Sequence, residues 1–174
     1  MPQCRAVIDI GGQDCKVMLL DEHGKVTDFL MNDKCAAGTG RFIEMTLGRV
    51  GAKVEDLDEF VQDAVPEKIN SMCAVFAESE IVGLLAQEKK AGDILLGCLH
   101  SICKRTAIFA QKLIRENELI FFSGGLAQSE VIREILESYM KPAHIVTHEL
   151  AQYTGAIGAA VLAYEKAGGK KTWN

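Results

Sequence analysis

Two cysteines stand where polar stretches give way to helical patterns. The first lies in Asn32-Asp33-Lys34-Cys35-Ala36-Ala37-Gly38-Thr39-Gly40-Arg41, between a strand-like apolar run and a helix-like one. Glycines let a backbone approach a ligand closely, and a helix start presents unpaired N–H groups that favour an anion. The same amides, with Lys34 next door, attract negative charge on a thiol placed there. The second lies in Asn70-Ser71-Met72-Cys73-Ala74-Val75-Phe76-Ala77-Glu78-Ser79-Glu80. Either cysteine alone is compatible with plain burial, but their parallel settings point to a shared metal centre. A four-iron iron–sulfur cluster needs about four thiolates. One chain offers two in this setting, and a symmetric dimer would supply the rest from one interface.

A second chemistry is legible in the glycine pairs. In Asp9-Ile10-Gly11-Gly12-Gln13-Asp14-Cys15-Lys16 an acidic residue at a strand end meets two glycines and an amide. Gly11 and Gly12 would bring backbone N–H groups to phosphate oxygens. Asp9 suits a magnesium ion held through water, and Gln13 suits the orientation of an attacking water. The plainer alternative is a hairpin, with Asp9 or Asp14 capping an ordinary Gly-Gly turn. Ser123-Gly124-Gly125-Leu126-Ala127-Gln128 repeats the order of apolar strand, glycine pair and helix, and it too reads alternatively as a tight connection.

The remaining candidates carry less. The other cysteines of the six are Cys4, Cys15, Cys98 and Cys103. With a turn at Gly11–Gln13, Cys15 pairs near Asp9, which leaves Cys4 ~17 Å up the sheet. Cys98 and Cys103 lie about 140° apart around one helix and cannot point at one metal. These four read as core residues. No Cys-x-x-Cys pair is present, which argues against a zinc knuckle. His23, His100, His144 and His148 lack metal-ligand spacing. Glu78 and Glu80 are two apart on a helix and do not face each other, although Glu78 is within reach of the Gly38–Gly40 loop. Glu55-Asp56-Leu57-Asp58-Glu59 reads as a solvated face.

The elements that must position these groups follow from periodicity. Arg5–Ile10, Cys15–Leu20 and Val26–Met31 read as three strands, the last two joined by a turn at Asp21–Gly24. Thr39–Val50 is helical, and Val54–Val65 reads as a short acidic helix stopped by Pro66. A largely buried helix runs from Cys73 to Gln87, and a long one from an N-cap at Asp93 to Arg115. Leu119–Phe122 is a strand, Ser129 or Glu130 to Met140 an amphipathic helix, and His144–Val146 a last strand. Gly155–Ala167 is a small-residue helix suited to close packing. Three antiparallel strands followed by two more through helical crossovers predict an α/β fold with a mixed five-stranded sheet. This order resembles the ribonuclease-H-like unit of the actin, sugar-kinase and heat-shock ATPase superfamily.

Composition narrows the class. A chain of 174 residues with 48% hydrophobic and 25% charged residues can bury a real core as one domain, or one domain carrying an insertion. A net charge of −5 and a pI near 5.4 argue against a nucleic-acid surface. No apolar run approaches the ~20 residues that span a bilayer. Met-Pro-Gln-Cys-Arg runs directly into a strand without a signal-peptide layout, so a cytoplasmic location is expected.

Five motifs together carry a more specific resemblance: Asp-Ile-Gly-Gly-Gln-Asp-x-Lys, Asn-Asp-Lys-Cys-Ala-Ala-Gly-Thr-Gly-Arg-Phe, Cys-x-Val-Phe-Ala-Glu-Ser-Glu, Ser-Gly-Gly-x-Ala-Gln and Ala-Gln-Tyr-x-Gly-Ala-x-Gly-Ala-Ala. From about Ala6 to Ala167 the chain resembles the activators of 2-hydroxyacyl-CoA dehydratases, a family shared with the ATPase subunits of benzoyl-CoA reductase. The resemblance implies a homodimeric ATPase in which one [4Fe-4S] cluster bridges two protomers through Cys35 and Cys73, each at a helix start. It implies ATP or ADP with Mg²⁺, the phosphates at Asp9, Gly11, Gly12, Gln13, Asp14 and Lys16 and at Gly38, Thr39 and Gly40. Gly124, Gly125 and Gln128 would lie at the adenosine. The partners implied are a dehydratase or benzoyl-CoA-reductase-type component, which receives one low-potential electron, and a donor such as ferredoxin or flavodoxin. Nucleotide at those loops would lie only a few residues from Cys35.

Family members begin with another actin-like half carrying a first phosphate motif, whereas this sequence starts at the second half. It is therefore expected to be a single lobe over 1–168 with a helical insertion at about 39–115 and a frayed tail at 169–174. That makes it a truncated member, an excised fragment or one piece of a split protein. The rival readings are a sugar-kinase-like phosphotransferase and a non-catalytic nucleotide-binding lobe, both without a cluster.

Overall fold

The computed structural model describes residues 3–71, 73–115 and 118–169. The described residues form five strands and six helices in the order β1 (Ala6–Ile10), β2 (Cys15–Leu20), β3 (Val26–Asn32), α1 (Gly40–Val50), α2 (Leu57–Phe60), α3 (Ala74–Ala86), α4 (Ala91–Ala110), β4 (Leu119–Ser123), α5 (Glu130–Met140), β5 (His144–Val146) and α6 (Thr154–Lys166). Short 3-10 turns precede α1, α2, α5 and α6. The strands form one sheet in the order β3-β2-β1-β4-β5. β1 pairs antiparallel with β2, and β2 with β3. β4 lies parallel to β1 on its other side, and β5 parallel to β4. The mixed five-stranded sheet expected from the order of elements is present.

Strand alternation decides which face is core. Ala6, Ile8 and Ile10 of β1 are fully buried, as are Val17 of β2 and Ile120 and Phe122 of β4. The register places Ile8 opposite both Val17 and Phe122, so these side chains share one face. That face packs into a single apolar cluster with Phe42, Ile43 and Leu47 of α1, Ile94 to Ala110 of α4, and Ile132 and Leu136 of α5. Within the 39–115 segment, α1 and α4 supply core to the sheet. The opposite face carries Asp9, Lys16, Met18, Phe29 and Met31, of which Phe29 and Met31 are exposed.

Three boundaries differ from the periodicity. The expected acidic helix over Val54–Val65 is a 3-10 turn at Val54–Asp56 followed by one helical turn, α2. The chain then leaves the helix so that the Val65 N–H can donate to the Asp93 carboxylate at 2.9 Å. Asp93 is correspondingly not the N-cap of α4, which starts at Ala91 and ends at Ala110 rather than Arg115. By contrast Ser129 does cap α5, its Oγ accepting from the Ile132 N–H at 3.1 Å.

α6 forms as expected, but none of its residues is buried, and Ile157 and Leu162 are exposed. Of the expected frayed tail, residues 170–174 lie outside the described residues. Gly169 N–H donates to the Tyr164 carbonyl at 3.0 Å. Among the described residues no helix is long and apolar enough to cross a membrane.

Candidate functional site

The β1–β2 turn runs from Gly11 to Asp14. Gly11 N–H closes it onto the Asp14 carbonyl at 2.9 Å. The first two amides of α1, those of Gly40 and Arg41, then donate to the carbonyls of Gly11 and Gly12, each at 2.8 Å. A Cβ at Gly40 would sit 3.1 Å from the Gly11 carbonyl oxygen, so this close approach suits glycine. Those two helix-start amides, expected from the sequence to be free for an anion, are spent on the turn. Thr39 is fully buried, and its hydroxyl donates to the Ala36 carbonyl at 2.9 Å. Gly38 is buried beside it.

Beside the turn lies a cleft of about 640 Å³, lined by Gly11, Gly12, Gly40, Gly125 and Gln128 among others. Five of the sequence-predicted nucleotide residues therefore share one cavity. Gln128 is tethered there, its Nε2 donating to the Glu149 carbonyl at 3.3 Å. Gly124 does not line the cleft. It is buried beneath it with φ +93 and ψ 178, where any Cβ would run into the Ile10 backbone.

The charged members of the first motif form a separate group. Asp9 and Lys16 face each other in the β1–β2 register, on the opposite side of the sheet from Ile8 and Ile10. Lys16 Nζ lies 3.8 Å from Asp9 Oδ1 and makes a closer ion pair with Asp14. Gln13 is exposed at the bend beside them.

The cleft also holds residues that sequence reasoning set aside. Glu44, Glu55, Asp58 and Ser129 line it. Asp58 is not part of a solvated face: its carboxylate accepts from the Glu130 N–H at 2.8 Å and from the Ser129 hydroxyl. It thereby helps cap α5 from 71 residues away. No local signal reveals that pairing, because only the fold brings the segments together.

The six cysteines divide cleanly. Cys35 and Cys73 are exposed, and Cys4, Cys15, Cys98 and Cys103 are buried. Burial pushes the thiols of Cys15, Cys98 and Cys103 up to about 12 and raises that of Cys4, which suits protonated core residues rather than metal ligands. Cys73 holds the N-cap position of α3. Cys35 holds that of a single 3-10 turn, Ala36–Gly38, and α1 begins five residues later. Neither side chain makes a capping hydrogen bond. Ala36 and Ala74, the residues directly after the two cysteines, line one cleft of about 450 Å³ between α1 and α3. Each exposed cysteine thus directly precedes a residue of that cleft.

Glu78 lines that second cleft but does not reach the glycine loop, because Arg49 Nε binds its carboxylate at 2.8 Å. Among the described residues no three His, Cys, Asp or Glu side chains gather in metal-binding range within the chain. His100 is engaged instead with Tyr139, Nδ1 to the phenolic oxygen at 3.0 Å, and burial lowers its pKa.

A family model described as the BadF/BadG/BcrA/BcrD ATPase family matches residues 1–163. The chain is 42% identical over 167 residues to the (R)-2-hydroxyglutaryl-CoA dehydratase activating ATPase of Acidaminococcus fermentans, covering 95% of this chain and 63% of that protein. It is 32% identical over 165 residues to one of the benzoyl-CoA reductase subunits of Thauera aromatica, covering 92% and 58% respectively. The structure superposes with a TM-score of 0.89 and 37% identity on the activator of the 2-hydroxyisocaproyl-CoA dehydratase from Clostridium difficile with bound ADPNP, covering 96% of this chain and 62% of that one. The expected actin-like, ribonuclease-H-like fold is thereby established. The chain spans about three fifths of the length of these relatives.

Proposed function

The chain belongs to the BadF/BadG/BcrA/BcrD ATPase family, and from that premise we propose that it is the cluster-bearing lobe of an ATP-driven electron activator. Its dimer would pass a low-potential electron to a 2-hydroxyacyl-CoA dehydratase or a related CoA-thioester reductase, with ferredoxin or flavodoxin as donor. The observation that carries this reading is the division of the cysteines. Four are buried in the core, and each of the two exposed ones directly precedes a residue that lines one cleft. Exposed thiols without capping bonds fit a cluster as half of its ligand set, and two chains related by symmetry would offer four. When bound, the cluster would supply one low-potential electron.

The chain's own residues account for the coupling. Cys35 and Cys73 would hold the metal, and Gly11, Gly12, Gly40, Gly125 and Gln128 would line the nucleotide. Asp9, kept in place by Lys16, would hold Mg²⁺ through water. The Gly40 and Arg41 amides tie the Gly11–Gly12 turn to the start of α1. A displacement of that turn would pull on the start of α1, five residues from Cys35.

The test is anaerobic reconstitution of the six single Cys→Ser variants, scoring iron per dimer. Cys35→Ser and Cys73→Ser are expected to abolish iron binding and visible absorption, and the other four to retain both. Iron retained after Cys73→Ser overturns the assignment.

A further inference from the structure

Glu80 projects from the second turn of α3, and its carboxylate turns back on the segment that leads into that helix. Oε1 accepts from the Asn70 backbone N–H at 2.9 Å and from Asn70 Nδ2 at 3.1 Å. Oε2 accepts from the Ser71 N–H at 2.8 Å. On the far side of the same residue, Arg105 of α4 donates to the Ser71 carbonyl at 2.7 Å. Two residues on, the Cys73 carbonyl accepts the Ala77 N–H at 2.8 Å.

Asn70 and Ser71 on one side and Cys73 on the other are therefore each fastened to α3. Ala77 and Glu80 lie three apart and share a helix face. One holds Cys73 by the ordinary helical bond, and the other holds Asn70 and Ser71 by its side chain. Hydrogen bonds to α3 thus hold the chain both before and at Cys73. The Cys35 side is held differently, by Asn32 Nδ2 donating to the Cys35 carbonyl at 3.5 Å and the Thr39 hydroxyl donating to the Ala36 carbonyl at 2.9 Å. The hydrogen bonding is strong enough to register on Glu80 itself. Burial, the largest single effect, would raise its carboxyl, yet the bonds from Ser71 and Asn70 together hold it below the ordinary range.

We infer that Glu80 is a positioning residue for the metal centre, fixing the direction from which Cys73 approaches its ligand position. The inference rests on the cluster reading of Cys73 given above. It deepens that reading by giving the two ligand arms different mechanics. The Cys73 arm is anchored to α3 and α4, while the Cys35 arm is anchored to the Gly11–Gly12 turn.

The test is Glu80→Gln in the full chain. Glutamine keeps the length but turns one acceptor oxygen into an NH₂ group facing an N–H donor. Two readouts are taken. One is hydrogen exchange of the segment around Asn70 and Ser71 in the iron-free chain, with the Cys35 loop as internal reference. The other is the rate at which a chelator strips iron from the anaerobically reconstituted dimer, with the low-temperature spectrum of the reduced cluster. Exchange at Asn70 and Ser71 and iron loss are each expected to accelerate roughly tenfold, as for loss of one charge-assisted hydrogen bond. The spectrum should shift, and the Cys35 loop should stay unchanged. Glu134→Gln, an exposed carboxylate on α5 that lines neither cleft, should leave all of these unmoved. Should Glu80→Gln fail to fold, Asn70→Ala removes one of the three bonds and should give a smaller acceleration in the same direction. Wild-type exchange, iron loss and spectrum in the Glu80 variant overturn the inference and leave the cluster reading standing. A wild-type chain that takes up no iron overturns both.

Discussion

Residues of one type do opposite work in this chain, and the difference lies in what each side chain or Cβ would meet. The cysteines divide by exposure. The glycines of the Ser123-Gly124-Gly125 turn divide by conformation. Gly124 has φ +93 and ψ 178, a region open to glycine alone, with the Ile10 backbone against the place of a Cβ. Gly125 has open space around that position and lines the large cleft. Gly124→Ala is therefore expected to cost at least roughly 1–3 kcal/mol from backbone strain alone. Gly125→Ala should leave the melting temperature nearly unchanged and weaken nucleotide binding. Thermal unfolding and calorimetric titration with ADP separate the two, and equal melting temperatures for both variants would contradict the assignment.

Among the elements, α4 carries the most core and sets a limit on alkaline stability. Ile94, Leu95, Cys98, Leu99, Ile102 and Cys103 are all fully buried along it. Burial holds the Cys98 and Cys103 thiols at about 12 against an ordinary 9.0. Below 9.0 both thiols are neutral in the folded and unfolded chain alike, so their burial carries no ionisation penalty. Between there and about 12 the unfolded chain releases these protons while the folded one keeps them, so stability falls as pH rises. Melting temperatures measured across that window are expected to decline. The double variant Cys98→Ala/Cys103→Ala should start lower through lost packing and decline less steeply. Parallel slopes for the two proteins would contradict this account of α4.

For the whole molecule, the proposed cluster with two ligands from each chain would make cluster and dimer interdependent. If two protomers share one cluster, the metal is part of the interface, and its free energy of binding is free energy of association. Stripping iron with a chelator is expected to convert dimer into monomer in sedimentation, and anaerobic reconstitution should restore the dimer. Cys35→Ser should be monomeric throughout. A dimer that persists without iron would show that the protein surfaces alone hold the protomers together.

The sequence by itself determined the order of elements, the strand and helix types and the candidate ligands, because these depend on local periodicity and side-chain chemistry. Cys35 and Cys73 stood out through their neighbours alone, and so did the glycine pairs. It also carried some elements too far: the acidic run past Val54 does not make the full expected helix, and Asp93 is no N-cap, because each answers to a partner distant in sequence. Only the tertiary structure decided that Gly124 is buried against the Ile10 backbone while Gly125 lines the cleft, since adjacent glycines look alike in sequence. It alone decided that Asp58 helps cap α5, that the first amides of α1 are spent on the Gly11–Gly12 turn, and that Glu80 fastens the approach to Cys73. Each is a hydrogen bond between groups whose need for a partner is visible in the sequence. The choice of partner is fixed only when the sheet and α4 bring the segments together.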